Sequence, residues 1–149
     1  MSNQNPVKWQ TYEEVARYLL DMFATDFGVD CFEGKQDLRG NCGTEWEIDA
    51  KGVRQSDGAI VLVECRRHTT SKLSQEAIAA FAWRIDDLNA MMGIIVSPFD
   101  LQKGAKLVAA AGNIVRVRLD PTSTVESFRM EFIDKLKAVA GMGMFISGC

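Results

Sequence analysis

The sequence predicts an α/β fold in which helices flank a mixed central β-sheet. Two candidate strands, over residues 45–53 and 59–66, flank the turn-forming segment 56–58 and predict an antiparallel hairpin. The elements that follow alternate between helix and strand, which is typical of parallel strands joined by right-handed crossovers. The chain has 149 residues, of which 47% are hydrophobic and 25% charged, so we expect a single domain, over residues 1–149, with a well-formed core.

The segment before the hairpin is predicted to hold one helix, one short strand and a loop. Thr11 and Glu14 have the spacing of a capping box, so we expect a helix from Thr11 to Thr25. Its apolar residues recur at helical spacing: Tyr12, Val15, Ala16, Leu19, Leu20 and Phe23. A short strand follows over residues 29–33, and the charged, glycine-containing segment 35–44 predicts a loop.

After the hairpin, helical and extended patterns alternate. Ser74 is a predicted helix N-cap, and the apolar run over residues 92–97 predicts a strand buried on both faces. The other predicted elements are helices over residues 74–88, 99 or 100 to 111, and 123–139, and a strand over residues 114–119. The apolar, glycine-rich segment 141–149 predicts a flexible or partner-docking tail. The predicted order is one helix, up to three strands, and then helix, strand, helix, strand and helix.

Composition and charge argue against several classes of protein. The net charge is −3, which argues against a protein that coats nucleic acid without specificity. No apolar run is long enough to span a bilayer and the N-terminus lacks the pattern of a signal peptide, so we expect a cytoplasmic protein. The four cysteines contain no Cys-x-x-Cys pair, and His68 is the only histidine, which argues against a zinc site and predicts reduced thiols.

Basic residues cluster after the second strand of the hairpin, despite the acidic net charge. The cluster consists of Arg66, Arg67, His68 and Lys72. A local positive patch can bind the phosphates of a nucleic acid even on an acidic protein. The alternative is that these residues are ordinary solubilising charge.

Two carboxylates are predicted to face each other across the hairpin. If the chain folds between residues 56 and 57, Asp49 on the first strand lies opposite Glu64 on the second. Directly opposed residues have Cβ atoms ~5 Å apart, where like charges are destabilising and a hard divalent cation would remove the cost. Arg66 projects from the same face as Glu64. Two alternatives stay open: the acidic residues line a solvated face, or a one-residue slip of register separates the two carboxylates.

The order of these residues resembles the PD-(D/E)XK nuclease superfamily. That family has an acidic residue on a helix, an Asp on one strand, Glu-x-Lys on the next strand and then a helix. The matching residues here are Glu13, Asp49, Glu64 and Arg66. The later segment Gly93-Ile-Ile-Val-Ser-Pro-Phe-Asp is similar to the Mrr-like (type IV) restriction endonuclease branch. The resemblance covers about residues 11–120 and implies a restriction-endonuclease-like core.

The resemblance implies a metal-dependent endonuclease, of restriction or repair type, that hydrolyses the phosphodiester bonds of DNA. In that case Asp49 and Glu64 would hold Mg²⁺, or alternatively Mn²⁺. Glu13 matches the helix acid that completes the metal shell in many relatives, although a first-turn glutamate is also favoured by the helix dipole alone. Gln75 would orient water or phosphate, or is an ordinary first-turn residue. The basic cluster over residues 66–72 would bind DNA.

Arg66 stands where the family pattern has lysine. Arginine stays charged and is a poor general base, although its planar fork can stabilise charge on a transition state. Lys51, on the same strand face as Asp49, or Lys72, near the next helix, could supply the missing amine. The other alternative is a catalytically inactive module that binds DNA or a protein partner. Cleavage of both strands would suggest a homodimer, for which the last helix or segment 141–149 is the expected interface.

Overall fold

The fold is given by a computed structural model, which describes residues 11–67 and 70–120. The helices in these ranges are α1 (Tyr12–Met22), α2 (Gln75–Asp87) and α3 (Lys103–Ala111). The strands are β1 (Cys31–Glu33), β2 (Gln36–Arg39), β3 (Glu45–Ile48), β4 (Ala50–Val53), β5 (Ile60–Cys65), β6 (Met92–Ser97) and β7 (Ile114–Arg118). None of the helices in the described ranges has the length and apolar character needed to cross a membrane.

Five strands form a mixed central sheet in the order β1–β4–β5–β6–β7. β4 is antiparallel to both β1 and β5, whereas β5, β6 and β7 run parallel to one another. α2 connects β5 to β6 and α3 connects β6 to β7, as parallel neighbours require. β2 and β3 form a separate antiparallel pair. The predicted α/β fold, with a mixed central sheet flanked by helices, is confirmed.

The central sheet has an apolar core on each face. Val61 and Val63 of β5 pack in the core on the α1 side, and Leu62 packs in the core on the side of α2 and α3. Every residue of β6 is buried, which confirms the prediction of a strand covered on both faces. The alternation along β5 also decides which side of the sheet its polar residues face.

The hairpin predicted around residues 56–58 is formed by β4 and β5. Ala50 pairs with Val63, which is the register expected from the position of the turn. The ladder ends at this pair, so Asp49 and Glu64, each one residue further from the turn, are not paired in it. The predicted hairpin register is therefore confirmed as far as Ala50 and Val63, and the direct opposition of the two carboxylates stays a prediction.

The prediction of a loop over residues 35–44 is wrong, because β2 occupies residues 36–39 and pairs with β3. β2 contains a single apolar residue, Leu38, so no alternating pattern marks it as a strand. The β2–β3 pair is held to the rest of the domain through Trp46, whose Nε1–H donates a hydrogen bond of 2.8 Å to Asp87 at the end of α2. A contact between distant residues thus decides the structure of this segment.

The continuous strand predicted over residues 45–53 is also wrong, because it is interrupted at Asp49. β3 ends at Ile48 and pairs with β2, whereas β4 begins at Ala50 and belongs to the central sheet. Five strands therefore precede α2, rather than the three or fewer predicted. Both halves keep a strand-like pattern, so the pattern alone does not reveal that they belong to two sheets.

The predicted helix N-caps are confirmed. The hydroxyl oxygens of Thr11 and Ser74 each accept a hydrogen bond from the backbone N–H three residues further on, at 3.0 and 3.2 Å. α1 ends at Met22, earlier than predicted, and a 3₁₀ turn over residues 24–27 follows it. Gly28 closes that turn with φ 79°, a conformation that favours glycine.

The third helix begins at Lys103, later than the predicted start at residue 99 or 100. Leu101 forms a parallel β-bridge with Leu73, and the backbone N–H of Leu73 donates to the carbonyl of Asp100 at 3.1 Å. These contacts hold the backbone extended just before α3, so the helix cannot start there.

Three predicted features lie outside the described residues. They are the helix over residues 123–139, the tail over residues 141–149, and His68. The dimer interface expected from the first two stays a prediction.

Candidate active site

Asp49 lies at the interruption between the two sheets. Its Oδ2 accepts a hydrogen bond of 2.7 Å from the backbone N–H of Cys65, the last residue of β5. The ladder between β4 and β5 has already ended at the pair formed by Ala50 and Val63. The Asp49 carboxylate therefore accepts the hydrogen bond that the backbone N–H of Cys65 would otherwise donate to a neighbouring strand.

A cavity of about 440 Å³ opens beside Asp49. It lies between the start of α1 and the connection from β1 to β2, and its lining residues are Thr11, Glu13, Glu14, Arg17, Gly34, Lys35 and Asp49. Thr11 caps α1 and thereby fixes the first helical turn, which carries Glu13. The structure thus brings two of the predicted site residues, Glu13 and Asp49, into one cavity.

Glu64 is held by two arginines on the other face of the sheet. Like Leu62, it faces the α2 side, and it is only 7% exposed. Its Oε1 accepts a hydrogen bond of 2.8 Å from Arg84 of α2, and its Oε2 accepts one of 2.5 Å from Arg66. The Arg84 guanidinium also lies over the Trp46 ring, 5.1 Å from its centroid. Both oxygens of Glu64 therefore have a cationic partner, as a buried carboxylate requires, and Glu64 does not line the cavity.

The negative charge of Asp49 is costly in the folded protein. Burial raises the pKa of Asp49 above its ordinary value, and the charges of Glu13 and Glu64 raise that pKa further. The hydrogen bond from Cys65 and the positive charge of Lys35 lower the Asp49 pKa, but by less. A cation bound beside Asp49 would remove this cost.

Cys65 lies next to these carboxylates and keeps its proton at neutral pH. Burial raises the pKa of the Cys65 thiol well above its ordinary value, and the charges of Asp49, Glu13 and Glu64 raise it further. Metal ions bind the thiolate rather than the thiol. The oxygens of the carboxylates are therefore the donors that this site offers at neutral pH.

These donors fit a hard cation that binds through few carboxylates. Within residues 11–67 and 70–120, no three histidine, cysteine, aspartate or glutamate side chains are grouped closely enough to hold a metal ion. Mg²⁺ does not need such a cage, because it keeps several waters and binds through one or two carboxylates. The half-buried Asp49 and Glu13 offer two carboxylates of that kind in one cavity, whereas both oxygens of Glu64 are bound by arginines.

The cavity beside Asp49 is not lined by three of the other predicted site residues, Lys51, Lys72 and Gln75. The Lys51 ammonium lies 3.5 Å from Oε1 of Glu33, and the Lys51 side chain is only 18% exposed. Lys72 is exposed in the connection before α2. Gln75 is the first residue of α2, and its side chain lies against Gly104 of α3. The site roles expected for these three residues stay predictions.

Two residues beside the predicted site residues escaped the sequence analysis. Arg84 lies in a regular amphipathic helix, and its contact with Glu64 joins elements that no local pattern connects. Lys35 lay in the segment that predicted a loop. Recognition of that segment as a strand would have placed Lys35 opposite Asp49, because its neighbour in β2 pairs with the last residue of β3.

Comparison with known proteins identifies a shared fold. No family model matches the chain, and no curated protein matches it. Among solved structures, a protein of unknown function named AF1548 superposes with a TM-score of 0.58 at 18% identity, over 78% of this chain and 64% of that chain. The chain shares its fold with AF1548. At this identity the likeness concerns the fold alone.

Two further solved structures match a similar share of the chain. A repair endonuclease from Pyrococcus abyssi is 23% identical, with a TM-score of 0.46, over 78% of this chain and 50% of that chain. EndoMS in complex with dsDNA is 18% identical, with a TM-score of 0.44, over 83% of this chain and 51% of that chain. The chain thus spans between about half and two thirds of the length of the solved proteins that it matches.

Proposed function

We propose that the chain is a metal-dependent endonuclease domain of the PD-(D/E)XK type, of restriction or repair function, that hydrolyses phosphodiester bonds of DNA. The observation that carries this proposal is the environment of Asp49. It is a half-buried carboxylate at the interruption of the sheet, it shares a cavity with Glu13, and it feels the charge of Glu64. A half-buried carboxylate whose charge is opposed by neighbouring carboxylates favours a hard divalent cation.

The residues have distinct roles in this proposal. Asp49 would hold Mg²⁺ or Mn²⁺ together with Glu13, which lines the same cavity. Glu64, the second metal ligand that the sequence predicts, would join them only by turning from the α2 side of the sheet toward the cavity. When bound, the ion would polarise the scissile phosphate and lower the pKa of a bound water. Arg66, whose side chain is 40% exposed, would donate hydrogen bonds to phosphate oxygens. Glu64 would have to release one guanidinium to act as a ligand, so a part of the binding energy would be spent on breaking that ion pair.

The test is a plasmid-nicking assay with Mg²⁺ or Mn²⁺. We expect Asp49→Asn and Glu64→Gln each to reduce nicking by at least about 10²-fold, because each removes a charged oxygen donor while preserving the shape of the side chain. Glu45→Gln is the matched control, since Glu45 is an exposed carboxylate of β3 that pairs with Arg39 at 3.6 Å. Metal-dependent nicking that persists in both site variants would contradict the proposal.

A second candidate function is a catalytically inactive module that binds DNA. The observation that favours it is the double pairing of Glu64 with Arg66 and Arg84, which neutralises the buried carboxylate without a metal. This function predicts no nicking with any metal. It also predicts salt-dependent DNA binding that Arg67→Gln and Lys72→Gln weaken, measured by fluorescence anisotropy. Cleavage by the wild type that both site substitutions abolish would exclude it.

A further inference from the structure

One long hairpin, interrupted in the middle, contains four strands. Its first arm consists of β1 and β2, and its returning arm consists of β3 and β4. β1 pairs with β4 and β2 pairs with β3 in one common register, and the pairs nearest to the interruption are Glu33–Lys51 and Gln36–Ile48. The same register continued through the interruption places Lys35 opposite Asp49. Directly opposed residues on strands have Cβ atoms ~5 Å apart, so the two side chains can meet.

Lys35 and Asp49 both line the cavity beside α1. The positive charge of Lys35 is one of the influences that lower the pKa of Asp49. The other cation in the lining is Arg17, whose Nη1–H donates a hydrogen bond of 3.2 Å to the carbonyl of Phe32 in β1. Arg17 is thus engaged in holding β1 against α1, and Lys35 is the more available cation of the two.

We infer that Lys35 supplies the ammonium group that binds the phosphate at this site, in the role that the family pattern gives to a lysine at position 66. The inference rests on the proposed nuclease function, and it names a residue that the motif does not contain. A lysine ammonium binds phosphate as a compact point charge, and it can approach from any strand that reaches the cavity. Its place in the site would therefore not require the spacing of the Glu-x-Lys motif.

Two alternatives for this role, Arg66 and Lys51, are held more tightly by other residues, and the third, Lys72, does not line the cavity. Arg66 donates a hydrogen bond of 2.5 Å to the buried Glu64, and Lys51 is 18% exposed and faces Glu33. The Lys35 ammonium instead forms a surface ion pair with Glu47 at 3.6 Å, and the two side chains are 62% and 66% exposed. Such a pair contributes little and is screened by salt, so a phosphate can replace Glu47 at small cost.

The test compares Lys35→Gln with Arg39→Gln. Both residues belong to the same hairpin, and each forms its own exposed ion pair at 3.6 Å, Lys35 with Glu47 and Arg39 with Glu45. Each substitution removes one positive charge, but only Lys35 lines the cavity. Binding of a fluorescein-labelled duplex is measured by anisotropy over a range of salt concentrations, with Ca²⁺ in place of Mg²⁺. Thermal melts confirm that each variant is folded.

We expect Lys35→Gln to reduce the slope of log affinity against log salt by about one, Arg39→Gln to leave it unchanged, and Lys35→Arg to keep it. In the nicking assay with Mg²⁺, Lys35→Gln should lose about tenfold to a hundredfold in rate, and Lys35→Arg should recover part of it. Equal effects of the Lys35 and Arg39 substitutions in both assays would overturn the inference.

The binding assay separates this inference from the proposed function. A wild-type protein that binds DNA but cuts it with no metal would refute the nuclease proposal, and the salt slope would still decide whether Lys35 contacts a phosphate. A wild-type protein that binds no DNA would refute both.

Discussion

Asp49 and Cys65 are joined by a hydrogen bond of 2.7 Å from the backbone N–H of Cys65 to the Asp49 carboxylate, where the pairing of β4 with β5 stops. This contact gives Asp49 a structural role, because it satisfies a backbone donor at the end of the sheet. The candidate catalytic role of the same residue depends on its charge. A substitution that keeps the oxygen and removes the charge can therefore separate the two roles.

Asp49→Asn should stabilise the metal-free protein at neutral pH. Burial and the neighbouring carboxylates raise the pKa of Asp49 in the folded state above its ordinary value of 3.8. The folded state therefore binds the proton more tightly than the unfolded chain, and the stability of the wild type falls as the pH rises through that window. The advantage of the variant is complete above the folded-state pKa and disappears below about pH 3.8. We expect its Tm in EDTA at pH 7 to be higher by about 1–3 °C.

The addition of Mg²⁺ should reverse this order. A ligand that binds the folded state raises its stability by mass action, and the variant lacks the carboxylate that would bind the ion. Glu45→Gln is the control, because Glu45 is exposed and pairs only at the surface with Arg39. A lower Tm for Asp49→Asn than for the wild type, at pH 7 in EDTA, would mean that the charge of Asp49 stabilises the fold.

Arg84→Met should destabilise the fold strongly. Arg84 donates a hydrogen bond of 2.8 Å to Glu64, and its loss would leave that buried carboxylate with Arg66 alone. Removal of one partner of a buried ion pair costs ~3–5 kcal/mol, and the remaining pair with Arg66 should reduce this to roughly 2–3 kcal/mol. The free energy of unfolding in urea measures the loss. The surface variant Arg39→Met should change it by less than about 0.5 kcal/mol.

The double variant Arg84→Met/Glu64→Gln tests the cause of that loss. With Gln at position 64 no uncompensated charge is buried, so we expect the double variant to recover most of the stability. A double variant no more stable than Arg84→Met would place the loss in the contact of Arg84 with the Trp46 ring, which lies 5.1 Å from the guanidinium.

The features that the sequence analysis predicted correctly are local. The caps at Thr11 and Ser74 depend on residues three positions apart, and the pairing of Ala50 with Val63 follows from a turn between adjacent strands. Period and turn chemistry are sufficient for such features. The mixed sheet follows from the order of the elements in the same way.

The features that it missed depend on contacts between distant residues. β2 carries no apolar alternation, and its partner strand is anchored by the hydrogen bond from Trp46 to Asp87, which are 41 residues apart. The two arginines around Glu64 show the same difference. Arg66 lies two residues away, and strand alternation predicts that it shares the face of Glu64, whereas Arg84 lies twenty residues away and no local pattern connects it to Glu64. Side-chain pairing of this kind is not encoded in a local period.

Asp87→Asn should detach the β2–β3 hairpin at neutral pH. The Asp87 carboxylate accepts hydrogen bonds from Trp46 Nε1 at 2.8 Å and from Cys42 N and Sγ at 2.9 and 3.1 Å. These bonds, led by that of Trp46, lower the pKa of Asp87. Since the folded-state pKa is depressed, the contribution to stability is present above the ordinary value of 3.8 and is lost as the pH falls through the folded-state pKa.

Thermal melts of Asp87→Asn from about pH 3 to pH 7 should therefore show a lower Tm than the wild type at pH 7 and a smaller difference as the pH falls below about 3.8. Asp86→Asn is the matched control, since Asp86 is the exposed neighbour of Asp87 in α2. A difference in Tm that does not depend on pH would show that the shape of the side chain matters and its charge does not.

Gly93→Ala and Gly104→Ala should change stability in opposite directions. A Cβ at Gly93 would lie 2.4 Å from Cδ1 of Ile85 and 2.6 Å from Cε2 of Phe81. Both side chains are buried between α2 and the sheet, so overpacking should cost about 1–3 kcal/mol. A Cβ at Gly104 would lie 2.2 Å from Oε1 of Gln75, an exposed side chain that can move away. Alanine is the better helix former by up to ~1 kcal/mol, so this variant should be more stable.

The same pair of variants tests the role of Gln75. If Gln75 orients water or phosphate from its present position, Gly104→Ala should reduce nicking although it stabilises α3. Gly93→Ala should lower the free energy of unfolding, and it should reduce nicking only because less protein is folded. Urea unfolding and the nicking assay, carried out on the same preparations, separate these effects. Unchanged nicking by the more stable Gly104→Ala variant would leave Gln75 as an ordinary residue of the first turn of α2, because its displaced amide would then have no effect on the reaction.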